Sequence, residues 1–169
     1  MVLLPPAAVK PRHPETAAAT LPHDSAPCPM SSTLPPALLD AFRRTLYRVD
    51  DGPHRFIIRI GEPAPQVDAL LAAHGLTSAA FLTAANPLAK PLDAAQNARR
   101  NAELRRRAEA AGARALTGEG RAEDGAWAEP SFLVLGLSRA QADALADRFE
   151  QAAYVLLEHG RPPELVLRR

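Results

Sequence analysis

Cysteine is almost missing from this 169-residue chain, which has a single one, Cys28. A disulfide within the chain is excluded, and neither a thiolate metal cluster nor a cysteine nucleophile is supported. Aromatic side chains amount to 5%, so Leu, Ala, Val and Ile must build the core. An excess of one charge is missing too. Twenty Lys and Arg stand against nineteen Asp and Glu, leaving no net field to recruit nucleic acid or an anionic membrane. No apolar run approaches the ~18 residues of a membrane span. The start Met1-Val2-Leu3-Leu4-Pro5-Pro6 carries neither the basic nor the long apolar region of a secretory signal. The expected location is therefore the cytoplasm, with no membrane partner.

What is present divides unevenly. Nine of the seventeen prolines fall within residues 1–36, where apolar periodicity is absent, so residues 1–32 are expected to be a disordered leader. Met30 offers an alternative start that would make this leader non-native. Residues 33–169 suffice for a single α/β domain. Thr33 to Val49 reads as a helix, with Thr33 as N-cap, Pro35 and Pro36 in the first turn and Leu38, Leu39, Phe42 and Leu46 as its apolar stripe. A turn at 50–53 precedes a strand over 55–60. Pro65 to His74 reads as a short helix stopped by Gly75, and Ser78 to Ala84 as a buried strand. Asp93 and Gln96 have the spacing of a capping box for a helix running to Ala111, as do Ser138 and Gln141 for the next helix. Strands are expected over 114–121, 127–136, 153–158 and 165–167. From residue 78 onward this is the ferredoxin-like split βαβ order, with an added N-terminal helix, strand and short helix.

Three places could carry chemistry. In the hairpin from Gly118 to Ser131, a turn centred on Asp124 would set Glu119 opposite Glu129, Arg121 opposite Trp127 and Thr117 opposite Ser131, all on one face. Opposed carboxylates need compensation: Arg121 between them, a shared divalent cation, or a proton held by one of them as a catalytic acid. Gly118 and Gly120 would leave room for a ligand. A register displaced by one residue would instead put the two glutamates on opposite faces. The second place is Thr83-Ala84-Ala85-Asn86-Pro87, a strand end leading toward a helix N-terminus, where α/β folds bind anions. Asn97, Arg100, Asn101 and Leu104 fall on one side of the following helix and could line a pocket with Asn86, unless Asn86 merely caps a turn and the Asn97 side faces solvent. The third is the run Arg99, Arg100, Arg105, Arg106 and Arg107. It lacks stacking aromatics and is diluted by Glu103 and Glu109, so a solvated face is the simpler reading. The five histidines have no partner at zinc-ligand spacing. Trp127, the sole tryptophan, either packs the hairpin or stacks on a ligand.

Taken together, Ala80-Phe81-Leu82-Thr83-Ala84-Ala85-Asn86-Pro87, Asn97, Gly118-Glu119-Gly120-Arg121, the stretch from Trp127 through Ser131 to Gly136, and Phe149-Glu150-Gln151-Ala152-Ala153 resemble the bacterial family labelled domain of unknown function 3293, over about residues 45–160. In that family's pattern a Trp commonly precedes the Asn-Pro pair and an Asn follows the Gln. Ala85 and Ala152 stand there in this chain, which implies a wider pocket. The resemblance implies no activity.

The leading expectation is a small-ligand-binding or enzymatic domain acting on an anionic metabolite or nucleotide. Asn86, Asn97, Thr83, Ser131 and Gln151 would orient the ligand, Arg100 and Arg121 would meet its charge, Trp127 would contact it, and Glu119 or Glu129 would serve as acid, base or ligand of a divalent cation. The alternative is a non-catalytic interaction or regulatory module with an unidentified protein partner. An RNA-binding or nuclease role through the arginine-rich helix is the weakest.

Overall fold

The computed structural model describes residues 34–168. The leader 1–32 and the Thr33 cap lie outside the described residues. The first helix, α1 (Pro36–Arg44), starts on prolines whose fixed φ suits a first turn and has no side-chain cap. It is shorter than the apolar spacing predicts. Thr45 is already extended, and Leu46 to Val49 belong to a strand, β1 (Leu46–Asp51). Tyr47 and Val49 alternate inward with the period of a strand. Pairing on both sides, with β2 (His54–Ile58) and with β4 (Arg114–Arg121), buries them better than one more helical turn would.

The remaining elements are α2 (Pro65–Ala73), β3 (Ser78–Leu82), a 3₁₀ turn (Pro87–Ala89), α3 (Ala94–Ala110), β5 (Ala128–Leu135), α4 (Arg139–Arg148), β6 (Ala153–Glu158) and β7 (Glu164–Leu167). Both expected capping boxes form, Asp93 with Gln96 and Ser138 with Gln141, and set where α3 and α4 begin. The seven strands make one antiparallel sheet in the order β2-β1-β4-β5-β3-β6-β7. The fold is thus a mixed α/β one. On one face of the sheet, Leu104 and Ala108 of α3 and Ala142 and Ala146 of α4 pack over Ala80, Leu82, Val134 and Leu156. On the other, Val67, Leu70 and Leu71 of α2 cover Ala79, Phe81, Leu133, Leu135 and Leu157. The Tyr47 ring meets Phe81 edge-on, 5.3 Å between centroids. Among the described residues no helix is long and apolar enough to cross a membrane.

The β4–β5 hairpin corrects the expected register. Glu119 faces Pro130, Gly120 faces Glu129, Gly118 faces Ser131, Thr117 faces Phe132 and Arg121 faces Ala128. The loop is closed by the Ala122 N–H on the Trp127 carbonyl (3.0 Å), with Gly125 at φ +73 completing the turn. An even number of residues lies between Ala122 and Trp127, so the centre falls between Asp124 and Gly125 and every pair moves by one. Glu119 and Glu129 therefore point to opposite faces.

Candidate functional site

The stretch after β3 is held by side chains rather than by a ladder. Asn101 of α3, 6% exposed, accepts the Ala84 N–H at 2.7 Å and donates to the Pro130 carbonyl at 2.9 Å. The Thr83 hydroxyl also donates to Pro130 (2.9 Å) and accepts the Ala85 N–H (3.0 Å). One turn back along α3, Asn97 Oδ1 accepts the Asn86 N–H at 2.9 Å, and Asn97 Nδ2 donates to Asn86 Oδ1 at 2.9 Å. Asn86 Oδ1 also takes the Leu92 N–H (2.9 Å). These contacts fix the orientation of the Asn86 amide and send its Nδ2 to Glu129 Oε1 at 2.6 Å. Arg100 donates to the Ala84 and Phe149 carbonyls, both at 2.7 Å, with its guanidinium 5.8 Å from the Phe149 ring centre. Gln151, 7% exposed, donates to Ala85 at 2.9 Å and Phe149 at 3.3 Å.

The backbone in this region is strained. Asn86, Leu88 and Ala89 have φ of +45, +52 and +57, and Glu150 has +55. The left-handed region costs Leu88 and Ala89 roughly 1–2 kcal/mol each, and such costs concentrate where function requires them. Asn86 adopts it readily, and Glu150 takes it as the residue that closes α4, where the Gln151 N–H meets the Ala146 carbonyl at 2.8 Å. The Leu88 N–H reaches the Glu150 carbonyl at 2.8 Å.

Between this loop, α1 and the sheet lies a groove of about 200 Å³ lined by Leu38, Phe42, Asn86, Trp127, Glu129 and Gln151 among others. It runs on into a hollow of about 70 Å³ over Thr83, Gly120 and Ser131. None of the α1 residues is buried, which leaves the groove open along that side. Trp127 is 43% exposed and its ring lies over Gly120, where an added Cβ would sit 3.8 Å from it. Burial raises the Glu129 carboxyl above its ordinary range, opposed by the hydrogen bond from Asn86. A carboxyl so raised keeps its proton to higher pH than an exposed one, the direction that general acid or base work requires.

Of the residues singled out from the sequence, Thr83, Asn86, Trp127, Glu129, Ser131 and Gln151 line this groove. Asn97 and Arg100 stand behind it and hold its backbone; the Asn97 side does not look at solvent. Glu119 and Arg121 are elsewhere. On the other sheet face Arg48 lies between Glu119 (3.4 Å) and Asp50 (2.6 Å), and Arg121 joins Glu119 at 3.5 Å. A cation bridging Glu119 and Glu129 is thus precluded. The room expected at Gly118 is taken by β1, since a Cβ there would stand 2.5 Å from the Arg48 carbonyl oxygen. On α3, Arg105 pairs with Glu109, and Arg106 and Arg107 both with Glu103. Among the described residues no group of three or more His, Cys, Asp or Glu is placed to hold a metal. Thr45, Tyr47 and the groove-facing side of Phe42 were hidden in the sequence by the helical reading of that segment; the β-branched Thr45 was its one local sign of an ending.

A family model described as Protein of unknown function (DUF3293) matches residues 82–154. The chain resembles that family over the stretch that carries Thr83, Asn86, Asn97, Trp127, Glu129 and Gln151, while α1 and β1 lie outside the match. No curated protein and no solved structure gives a significant match.

Proposed function

We propose that the groove is the binding site of a small ligand, in a domain that binds it or acts on it with Glu129 as acid or base. The observation that carries this reading is the strained Asn86–Ala89 loop, which holds Asn86 against a desolvated carboxylate whose second oxygen accepts no hydrogen bond among the described residues. A purely structural site would place neither strain nor an underused charge there. The order β4-β5-β3-β6, with α3 and α4 on one face, supports reading the core as a ferredoxin-like split βαβ unit. The ligand expected from the sequence was an anion. Arg121 lies on the opposite face and Arg100 is committed to carbonyls, so neither cation supports that class at this groove.

The test is the melting temperature of the full chain against a panel of small organic cations, anions and neutral aromatics. A ligand at ~100 times its dissociation constant stabilises by about 2.7 kcal/mol, a shift of several degrees in a domain of this size. The expected result is such a shift for one class, lost in Glu129→Gln. No shift across the panel would favour the second reading, a non-catalytic interaction module. That reading draws support from the Asn97, Asn101 and Arg100 side chains, whose hydrogen bonds all serve the chain itself.

A further inference from the structure

The uncommitted polar atoms of the groove are nearly all acceptors. The hydroxyls around it are spent as donors on main-chain carbonyls: Thr45 on Ala41 (2.7 Å), Tyr47 on Phe42 (2.9 Å), Thr83 on Pro130 (2.9 Å) and Ser131 on Glu129 (3.0 Å). Both N–H bonds of the Gln151 amide go to carbonyls, which turns its oxygen into the free end, and that oxygen accepts nothing among the described residues. Glu129 uses one oxygen on Asn86 and has the other free among the described residues. Among the described residues, Glu129 is also the sole Asp, Glu, His, Lys or Arg on the groove walls. Trp127 forms the aromatic wall, and its far side faces a second hollow lined by Arg44, Glu123 and Asp124. There Arg44 is offset by Asp40 at 3.4 Å and Glu123 by Arg59 at 2.7 Å.

We propose that the groove receives the positively charged nitrogen of a small organic ligand, an ammonium or guanidinium, with Glu129 as counter-charge, Gln151 Oε1 as second acceptor and Trp127 as the aromatic wall. This rests on the reading of the groove as a ligand site. A carboxylate, an amide oxygen and an indole face supply what a cation with several N–H donors needs once its water is removed. An anion would meet Glu129 and a free Gln151 oxygen with no cation to offset them. A bare divalent cation needs six or more oxygens, and one carboxylate does not provide them. At about 200 Å³ the space is below the ~300–1,000 Å³ of drug-sized pockets, which suits a group the size of one side chain.

Trp127 is the only tryptophan of the chain, so its emission reports on the groove and on the hollow behind its ring, and the Glu129→Gln variant assigns the signal to the groove. The full-length protein is titrated at constant ionic strength with n-butylguanidinium, n-butylammonium, butyrate and n-butanol. The expected result is a saturable change with the two cations only, with affinity at least ten-fold weaker in Glu129→Gln. Wild-type affinity for n-butylguanidinium is also expected to fall at least ten-fold as the pH is lowered through the titration of Glu129, a readout independent of any variant. Saturation by butyrate or n-butanol without the cations overturns the cation assignment and leaves the groove a ligand site. Cation binding that is unchanged in Glu129→Gln and across pH overturns the role of Glu129 and with it the proposal. No saturation by any of the four overturns the proposal, and the separate melting panel then decides whether the groove binds ligand at all.

Discussion

Asn101 shows most clearly what single side chains do in this fold. It is buried, and both ends of its amide are used, on Ala84 and Pro130. It thereby ties the end of β3 to β5 at the point where the sheet ladder between them gives out. Asn101→Ala would orphan the buried Ala84 N–H, while the Pro130 carbonyl keeps the Thr83 hydroxyl. An unsatisfied buried group costs about 1–3 kcal/mol, so the expected loss is about 1–3 kcal/mol of unfolding free energy, measured by urea denaturation. At acid pH, where its carboxyl is neutral, Asn101→Asp keeps an acceptor and an O–H donor and should fall between Asn101→Ala and wild type. Glu129 is the counterpart. Its neighbours supply one hydrogen bond to a carboxylate that burial has taken largely out of water, so its charge is not held for stability.

At the scale of elements, the loop from Asn86 to Ala89 carries the strain and β1 the surprise. Ala89 sits at φ +57. Glycine removes a left-handed penalty of roughly 1–2 kcal/mol and adds an entropic cost of roughly 0.5–1. Ala89→Gly is therefore expected to raise unfolding free energy by about 0.5–1 kcal/mol in thermal melts, and a lower melting temperature would show that the loop is not strained there. Gly118→Ala should act in the opposite sense. Its Cβ would stand 2.5 Å from the main-chain oxygen of Arg48, an atom that cannot rotate away, so β1 must separate from β4 at a cost of about 1–3 kcal/mol, seen as a fall in melting temperature. Helices α3 and α4 were legible because a capping box is written within four residues, and both boxes form. Strand β1 was not, because Leu38, Leu39, Phe42 and Leu46 satisfy a helical spacing that only pairing with β2 and the distant β4 overrides. Half of the candidate site was legible for the same reason. Asn86 stood out at the end of an apolar strand, Asn97 beside Leu104 on one side of α3 and Gln151 through the family resemblance, whereas the separation of Glu119 from Glu129 depends on whether a turn holds an even or odd number of residues. Nothing local to either glutamate reveals that.

The described residues form a seven-stranded antiparallel sheet covered by α3 and α4 on one face and by α2 on the other, with the groove left where α1 covers it loosely. On the proposed reading, this opening is retained with a desolvated charge in it at some expense of stability. The most direct test is the unfolding free energy of wild type and Glu129→Gln from about pH 4 to 8. Burial holds the folded-state pKa of Glu129 above its unfolded value of about 4.3. Its contribution to stability is therefore complete below that value, and it is lost as the pH rises through the folded one. Glutamine keeps the shape and the Asn86 hydrogen bond without the charge. The two proteins should thus be about equally stable at the acid end, with Glu129→Gln gaining on wild type as the pH rises and ahead of it at neutral pH. A variant less stable than wild type at neutral pH would contradict the account and make Glu129 a structural anchor of the Asn86 loop.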